Sequence, residues 1–534
     1  MGIRFSLIFI IFTLVYAVLL ANFYHLQLNR GDYFMVRAEA HRRLAFDLEP
    51  ERGNIFFTDK NKASVPVAVK KYYPLIFAVP KNIVNINETA SILAKVLNIE
   101  EKKILSRISN KKDPYEIILR KASLEQAQEI QKLNLKGIGI SQEPYRFYPN
   151  ERLASHLLGF VSENSGRYGI ESFYNHILKG EPGVILGEKI VPPKKGEDIY
   201  LTIDRNIQAA AEKILGDAVA KHKAESGMII VMNPKNGEIL AMSFLPNFDP
   251  NNFGELEVKN FLNPAVQSVY EPGSVLKPIT MAIGIETGKI TPYTEFVDKG
   301  YVTLNNRTIR NWDFRAYGKT DMSKIIEKSI NTGIVFVAQQ IGKSVFYDYL
   351  KNFGLNKKTG IDLPGEVTGN LRTLRDGRDI NLATASFGQG IAVTPIRLLT
   401  AINVIANNGL MVKPHLLAGN QECLGRVISE ETSRQVTEMM IAKVDEIRSA
   451  QISGYSVAGK TGTAQIPDFQ KGGYTDELIH TFVGFAPAYN PRFIALIRMD
   501  KGKGPIFASQ TIMPAFRELA QFILNYYEVS PDRL

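Results

Sequence analysis

The stretch Ser268 to Ile290, SVYEPGSVLKPITMAIGIETGKI, decides how this chain is read. A Glu-Pro-Gly turn runs directly into an apolar segment, with Pro278 four residues past Ser274. Proline is tolerated in the first turn of a helix, where backbone N–H groups have no intrahelical partner, and disrupts the interior. The helix is therefore expected to start close to Ser274. Three positions onward is about one turn, so Ser274 and Lys277 share a face, and the hydroxyl lies near the positive end of the helix dipole. That places a nucleophile beside a base.

Spacing alone is a weak signal, because each motif of this kind occurs twice. Ser109 and Lys112 repeat the Ser-x-x-Lys spacing, Ser162 to Asn164 repeats the Ser-x-Asn of Ser329 to Asn331, and Lys358 to Gly360 repeats the Lys-Thr-Gly of Lys460 to Gly462. Context separates the two sets. Ser109 lies in a charged, Asp-Pro-containing stretch, and Lys358 leads into GIDLPGE, a loop pattern. Ser329 lies in MSKIIEKSINTGIVFVAQQIG, a helical pattern broken by a turn, and Lys460 lies in YSVAGKTGTAQI, a strand pattern flanked by glycine.

The 534 residues suffice for two or three domains. The net charge of +10 is spread along the chain without a nucleic-acid motif, so no nucleic acid partner is expected and an anionic membrane surface fits better. The single cysteine, Cys423, excludes an intramolecular disulfide and a cysteine-based zinc cluster. Residues 5 to 24, FSLIFIIFTLVYAVLLANFY, carry no charge and would span about 30 Å as a helix, enough for a bilayer core. They read as an uncleaved anchor after a short cytoplasmic segment, residues 1–4. Arg30, Arg37, Arg42 and Arg43 follow the run, so a literal positive-inside count would leave the large domain in the cytoplasm. Long domains translocate regardless of such counts, so chemistry must settle the side.

Residues 25–195 alternate short apolar runs with charged turns and helical pieces such as ETASILAKVLNI and SLEQAQEIQKLN, a mixed α+β module without a catalytic constellation. The basic, proline-containing KIVPPKKGEDIYLTID marks a junction. Residues 196–534 then offer an amphipathic helix, two strands around an NPKNG turn, the Ser274 helix, a helical middle, three more strands and a terminal helix. Runs of strands separated from runs of helices predict an α+β fold, a mostly antiparallel sheet with helices packed on it.

SVLK, SIN and KTGT, in that order in one module, resemble the penicillin-binding transpeptidase and serine β-lactamase superfamily. Further segments, among them YEPGSVLKP, GIDLPGE, ASFGQGIAVTPIRLLTAINVIANNG and TFVGFAPAYNPRF, are similar to class B penicillin-binding proteins. ERGNIF, RFYPNERLASHLLGFV and YGIESFYNHILKGEPG resemble that class's elongated, non-catalytic, dimerisation-like pedestal. EPGS and Asn331 resemble division-type members. Val275, Ile330 and GPIFASQTIMPAF depart from the usual pattern and bear on substrate preference more than on catalysis. The bifunctional class A arrangement is not expected, since no glycosyltransferase module precedes the pedestal.

The resemblance implies a serine D,D-transpeptidase: acylation of Ser274 by a D-Ala-D-Ala stem peptide, loss of D-Ala, and attack by an amine of a neighbouring peptidoglycan stem. Lys277 is the expected base, which requires its amine to be neutral. Lowering a lysine from about 10.4 to about 7 costs roughly 4–5 kcal/mol against the charged form; burial and a like charge from Lys460 both push that way. Asn331 would bind Lys277 and substrate, and Ser329 would relay a proton to the leaving amine. The backbone N–H groups of Ser274 and Thr463 would form the oxyanion hole. Lys460, Thr461, Gly462 and Thr463 would hold the terminal carboxylate, and Gly388 and Gly390 of SFGQG would line the cleft.

No metal or organic cofactor is expected, and the seven histidines show no metal-site spacing. The implied partners are stem peptides, acylating β-lactams, the lipid bilayer and a membrane-embedded lipid II polymerase of the SEDS-type glycosyltransferase class. Cross-linking outside the cytoplasmic membrane puts the catalytic domain on the extracytoplasmic side. Two alternatives stay open: a β-lactam sensor or β-lactamase, and a catalytically silent scaffold of the wall-synthesis complex. Glu366 to Asn370 has the spacing of a deacylating β-lactamase loop but stands in an ordinary class B segment, DLPGEVTGNL, and Trp312 reads as packing.

Overall fold

The structure, a computed structural model, describes residues 9, 12–19, 48–186, 189–468 and 471–533. The expected anchor at 5–24 lies in part outside them, and among the described residues no helix is long and apolar enough to cross a membrane.

Two compact units are present. One comprises residues 70–147 and 179–197 with the chain before residue 54; the other comprises 54–69, 148–178 and 198–534. In the first, the helical patterns become helices Ile86–Leu97 and Leu124–Leu133. Ser123 and Gln126 close a reciprocal capping box on the second, each accepting from the other's backbone N–H. Leu93, Leu97, Ile104, Ile108 and Ile130 form its core.

The second unit is built on a five-stranded sheet. In spatial order the strands are Ile239–Leu245, Ser226–Met232, Phe493–Asp500, Tyr474–Ala486 and Ala458–Pro467, every neighbouring pair antiparallel. Its inner strands read as continuous apolar runs because both faces are covered. Met228, Ile230 and Met232 join one core cluster with Ile494 and Leu496, whereas Ile229 and Val231 join another with Phe493, Ala495 and Ile497. Successive strand side chains point to opposite faces, so helices Arg205–His222 and Met513–Tyr526 cover one side and helices Lys277–Glu286 and Pro395–Ala406 contribute to the other. The predicted antiparallel sheet with packed helices is this arrangement.

Candidate active site

The chain enters the Ser274 region through a 3-10 turn, Gly273–Leu276, followed by the helix Lys277–Glu286 with Pro278 in its first turn. The helix thus starts where the proline places it. Gly273 has φ +55°, and its N–H donates to Gly388 O at 3.1 Å. Ser274 is partly exposed, whereas Lys277 is fully buried.

Helix Met322–Lys328 ends at Ser329, whose φ of 57° is left-handed, and helix Asn331–Ile341 begins two residues later. A left-handed serine is a strained, sparsely populated conformation. Here it turns the Ser329 carbonyl, the Ser329 hydroxyl and the Asn331 side chain toward one amine. Lys277 Nζ lies 2.6 Å from Ser329 O, 3.1 Å from Ser329 Oγ and 2.7 Å from Asn331 Oδ1. Asn331 is itself held by Nδ2 donating to Arg310 O at 3.0 Å. Behind it, buried Asp298 accepts from the Thr332 hydroxyl at 2.6 Å, the Asn311 amide at 2.7 Å, Gly300 N–H at 2.8 Å and Tyr317 N–H at 2.9 Å.

Lys460 Nζ approaches the same hydroxyl, 3.0 Å from Ser329 Oγ, and lies 3.0 Å from Thr461 O. Ser329 therefore bridges two buried lysine amines. A hydroxyl can accept from one amine and donate to the other if that amine is neutral, so the chain Lys277, Ser329, Lys460 can pass a proton.

Burial holds Lys277 well below the ordinary lysine range, and the positive charge of Lys443 pushes the same way. Lys460 is held down by burial, then by the charges of Lys443 and Lys277. Lys443, on helix Glu430–Asp445, forms an ion pair with Glu446 at 3.3 Å. The like charge that acts on Lys277 thus comes from Lys443, where the sequence pointed to Lys460. The signal of Lys443 in the sequence is a lysine on an apolar helix face, one turn beyond buried Met439 and Met440.

Ala458–Pro467, which carries Lys460, Thr461, Gly462 and Thr463, is an edge strand of the sheet. Its outer side is available to an extended peptide. It runs close against the Ser274 turn: a Cβ at Gly462 would lie 2.8 Å from Val275 Cγ2 and 2.9 Å from Pro272 O, so only glycine fits. Thr463 is exposed, and its hydroxyl accepts from Ala508 N–H at 3.5 Å. Gly388, at φ +79°, abuts the other side of the turn, where a Cβ would come within 2.3 Å of Gly273 O. Gly390 donates its N–H to Glu271 at 3.0 Å. Ser274, Lys277, Ser329, Asn331, Lys460, the Thr461–Thr463 strand and the two glycines thus come together around one turn.

The duplicate motifs sit elsewhere in ordinary roles. Ser109 ends helix Glu101–Ile108, and Ser162 and Asn164 belong to the hairpin around Phe160–Ser162. Glu366 is tied to a turn, accepting from Thr359 N–H, the Thr359 hydroxyl and Gly360 N–H at 2.5, 2.6 and 3.0 Å. Trp312 packs edge-on against Phe507, ring centroids 5.0 Å apart.

The family model described as the penicillin binding protein transpeptidase domain matches residues 227–519, and the penicillin-binding protein dimerisation domain matches residues 47–201. The chain belongs to the penicillin-binding protein transpeptidase family. Together the two matches have the class B arrangement. The chain is 36% identical to Stage V sporulation protein D of Bacillus subtilis over 88% of its length and 77% of that protein's. It is 29% identical to peptidoglycan D,D-transpeptidase FtsI of Escherichia coli K12, over 99% and 93%. A crystal structure of a peptidoglycan synthetase from Bifidobacterium adolescentis superposes with a TM-score of 0.70 at 25% identity, covering 91% of this chain and 97% of that one.

Proposed function

We propose that this penicillin-binding protein is a serine D,D-transpeptidase that cross-links peptidoglycan stem peptides. The observation that carries the reading is the hydrogen-bonded run from Lys277 through Ser329 to Lys460, set beside the Ser274 turn and an edge strand. A penultimate D-Ala carbonyl, its peptide lying along Ala458–Pro467, meets Ser274 Oγ. Neutral Lys277 takes the hydroxyl proton as the C–O bond forms. The tetrahedral oxygen is held by the Ser274 and Thr463 N–H groups. The C–N bond breaks, Ser329 passes a proton to the departing D-Ala amine, and an ester remains on Ser274. An acceptor amine then attacks the ester, loses a proton and restores the serine. Lys460, Thr461 and Thr463 bind the terminal carboxylate.

In chain order we assign residues 1–4 to the cytoplasm, 5–24 to a membrane anchor, 25–195 to the pedestal and 196–534 to the transpeptidase domain. The uncharged run at 5–24 supports a single-pass protein, and cross-linking, which takes place outside the cytoplasmic membrane, puts the catalytic domain on that side. A SEDS-type lipid II polymerase is its partner in this reading, and the similarity to FtsI supports a septal role.

The test incubates the full chain with a D-Ala-D-Ala peptide and an excess of an amine-bearing stem peptide. Free D-Ala and a cross-linked dimer, both absent in Ser274→Ala, are expected. Hydrolysed peptide without dimer would favour a β-lactamase-like hydrolase, and no turnover by a folded chain would favour the silent scaffold.

A further inference from the structure

Glu271, three residues before Ser274, has no role in the reading above. The backbone around it is already joined to the segment carrying the two glycines: Tyr270 and Val393 exchange N–H···O bonds of 3.0 and 3.0 Å, and Gly273 N–H donates to Gly388 O at 3.1 Å. The Glu271 side chain extends this in two directions. Oε1 accepts from Gly390 N–H at 3.0 Å, and Oε2 accepts from the Tyr474 hydroxyl at 2.9 Å.

Tyr474 opens the strand Tyr474–Ala486, which pairs with the Lys-Thr-Gly strand in the register Pro467 to Tyr474 and Thr463 to His480. That end of the hairpin is tied across by Gln465 Nε2 donating to Thr475 O at 3.2 Å and the Thr475 hydroxyl donating to Ile466 O at 3.1 Å. One carboxylate therefore links the nucleophile's turn, the Gly390 loop and the hairpin that bears Thr463.

The choice of a carboxylate is informative. Among the described residues no cation pairs with Glu271, so a half-buried negative charge is kept without a salt bridge. Such a charge is costly to bury, and burial accordingly raises its pKa. The carboxylate places one acceptor oxygen before each of two donors that converge from different elements, Gly390 N–H and the Tyr474 hydroxyl.

We propose that Glu271 is a positioning residue for acylation: it fixes the spacing between the Ser274 turn and the Thr463 hairpin, keeping their backbone N–H groups aligned on the developing oxyanion. The proposal rests on acylation at Ser274. Glutamine retains the bond from Gly390 and can offer its amide to the Tyr474 oxygen. Alanine loses both arms, and Tyr474→Phe loses only the hairpin arm.

The test measures penicillin acylation of the full chain across penicillin concentrations, separating the limiting rate from the dissociation constant of the non-covalent complex. Glu271→Ala is expected to lower the limiting rate at least tenfold with the dissociation constant within threefold. Tyr474→Phe should lower it three- to tenfold, Glu271→Gln should recover most of the rate, and the double variant Glu271→Ala, Tyr474→Phe should be no slower than Glu271→Ala. Wild-type limiting rates in both single variants, or fully additive losses, would overturn the proposal. If Glu271→Ala does not fold, Tyr474→Phe, altered at a residue 42% exposed, carries the test with Glu271→Gln. A folded wild type without label would instead sink the acylation reading itself, and this proposal with it.

Discussion

The amine of Lys277 stands 2.7 Å from Asn331 Oδ1. This bond joins the helix that follows Ser274 to the helix that follows the left-handed Ser329, and it aims the lysine. Replacing Asn331 by alanine removes an acceptor that aims the neutral amine, a bond worth about 0.5–1.5 kcal/mol, so penicillin acylation is expected to slow roughly 2–10-fold. Asn331→Asp should be slower still at neutral pH, because a carboxylate favours the ammonium form of Lys277. Acylation rates of the two variants check both statements.

Lys443 offers a test through pH. Its positive charge helps hold Lys277 and Lys460 well below the ordinary lysine range. Acylation needs the neutral amine, so the rate rises as pH climbs through the depressed Lys277 pKa. In Lys443→Met the opposing charge is gone, which raises that pKa, while Glu446 keeps its pairing with Lys328. The acidic limb of the acylation profile should move to higher pH, with the plateau nearly retained. An unmoved limb would mean that burial alone sets the lysine.

Gly388 is placed by contact as much as by conformation. At φ +79°, with Gly273 O only 2.3 Å from a would-be Cβ, alanine must displace the Ser274 turn. Gly388→Ala is expected to cost about 1–3 kcal/mol of stability, the usual scale for overpacking. It should also slow acylation per folded molecule. Thermal unfolding and penicillin labelling separate the two effects.

Asp298 makes no contact in the reaction scheme yet accepts four hydrogen bonds behind Asn331. Asp298→Ala strands buried donors, each costing about 1–3 kcal/mol. A loss of about 3 kcal/mol or more in urea unfolding is expected, with acylation lost in proportion to unfolding.

Much of the site was legible because its residues sit in local patterns. Pro278 located the helix start, and glycine and β-forming residues marked the Lys460 strand. Ser109 and Ser162, which context set aside, lie at a helix end and in a hairpin away from this cluster. The contributions of Glu271, Asp298 and Lys443 were not legible, since each acts through partners far away in sequence: Tyr474, Thr332 and the two site lysines. Lys443 left a trace as a charge on an apolar helix face, and Glu271 stood in a motif already quoted for its turn. The grouping of residues 54–69 and 148–178 with 198–534 had no local signature, because strand pairings such as Ile55 with Ile199 are set by distant backbone partners.

In the proposed reaction a penicillin leaves a lasting acyl-enzyme on Ser274. Its most direct measurement is the intact mass of the full chain after brief exposure to a penicillin, followed over time and compared with Ser274→Ala. One added penicillin mass that requires Ser274 and persists for many minutes is expected. No added mass on a folded wild type, or an adduct unaffected by Ser274→Ala, would contradict it.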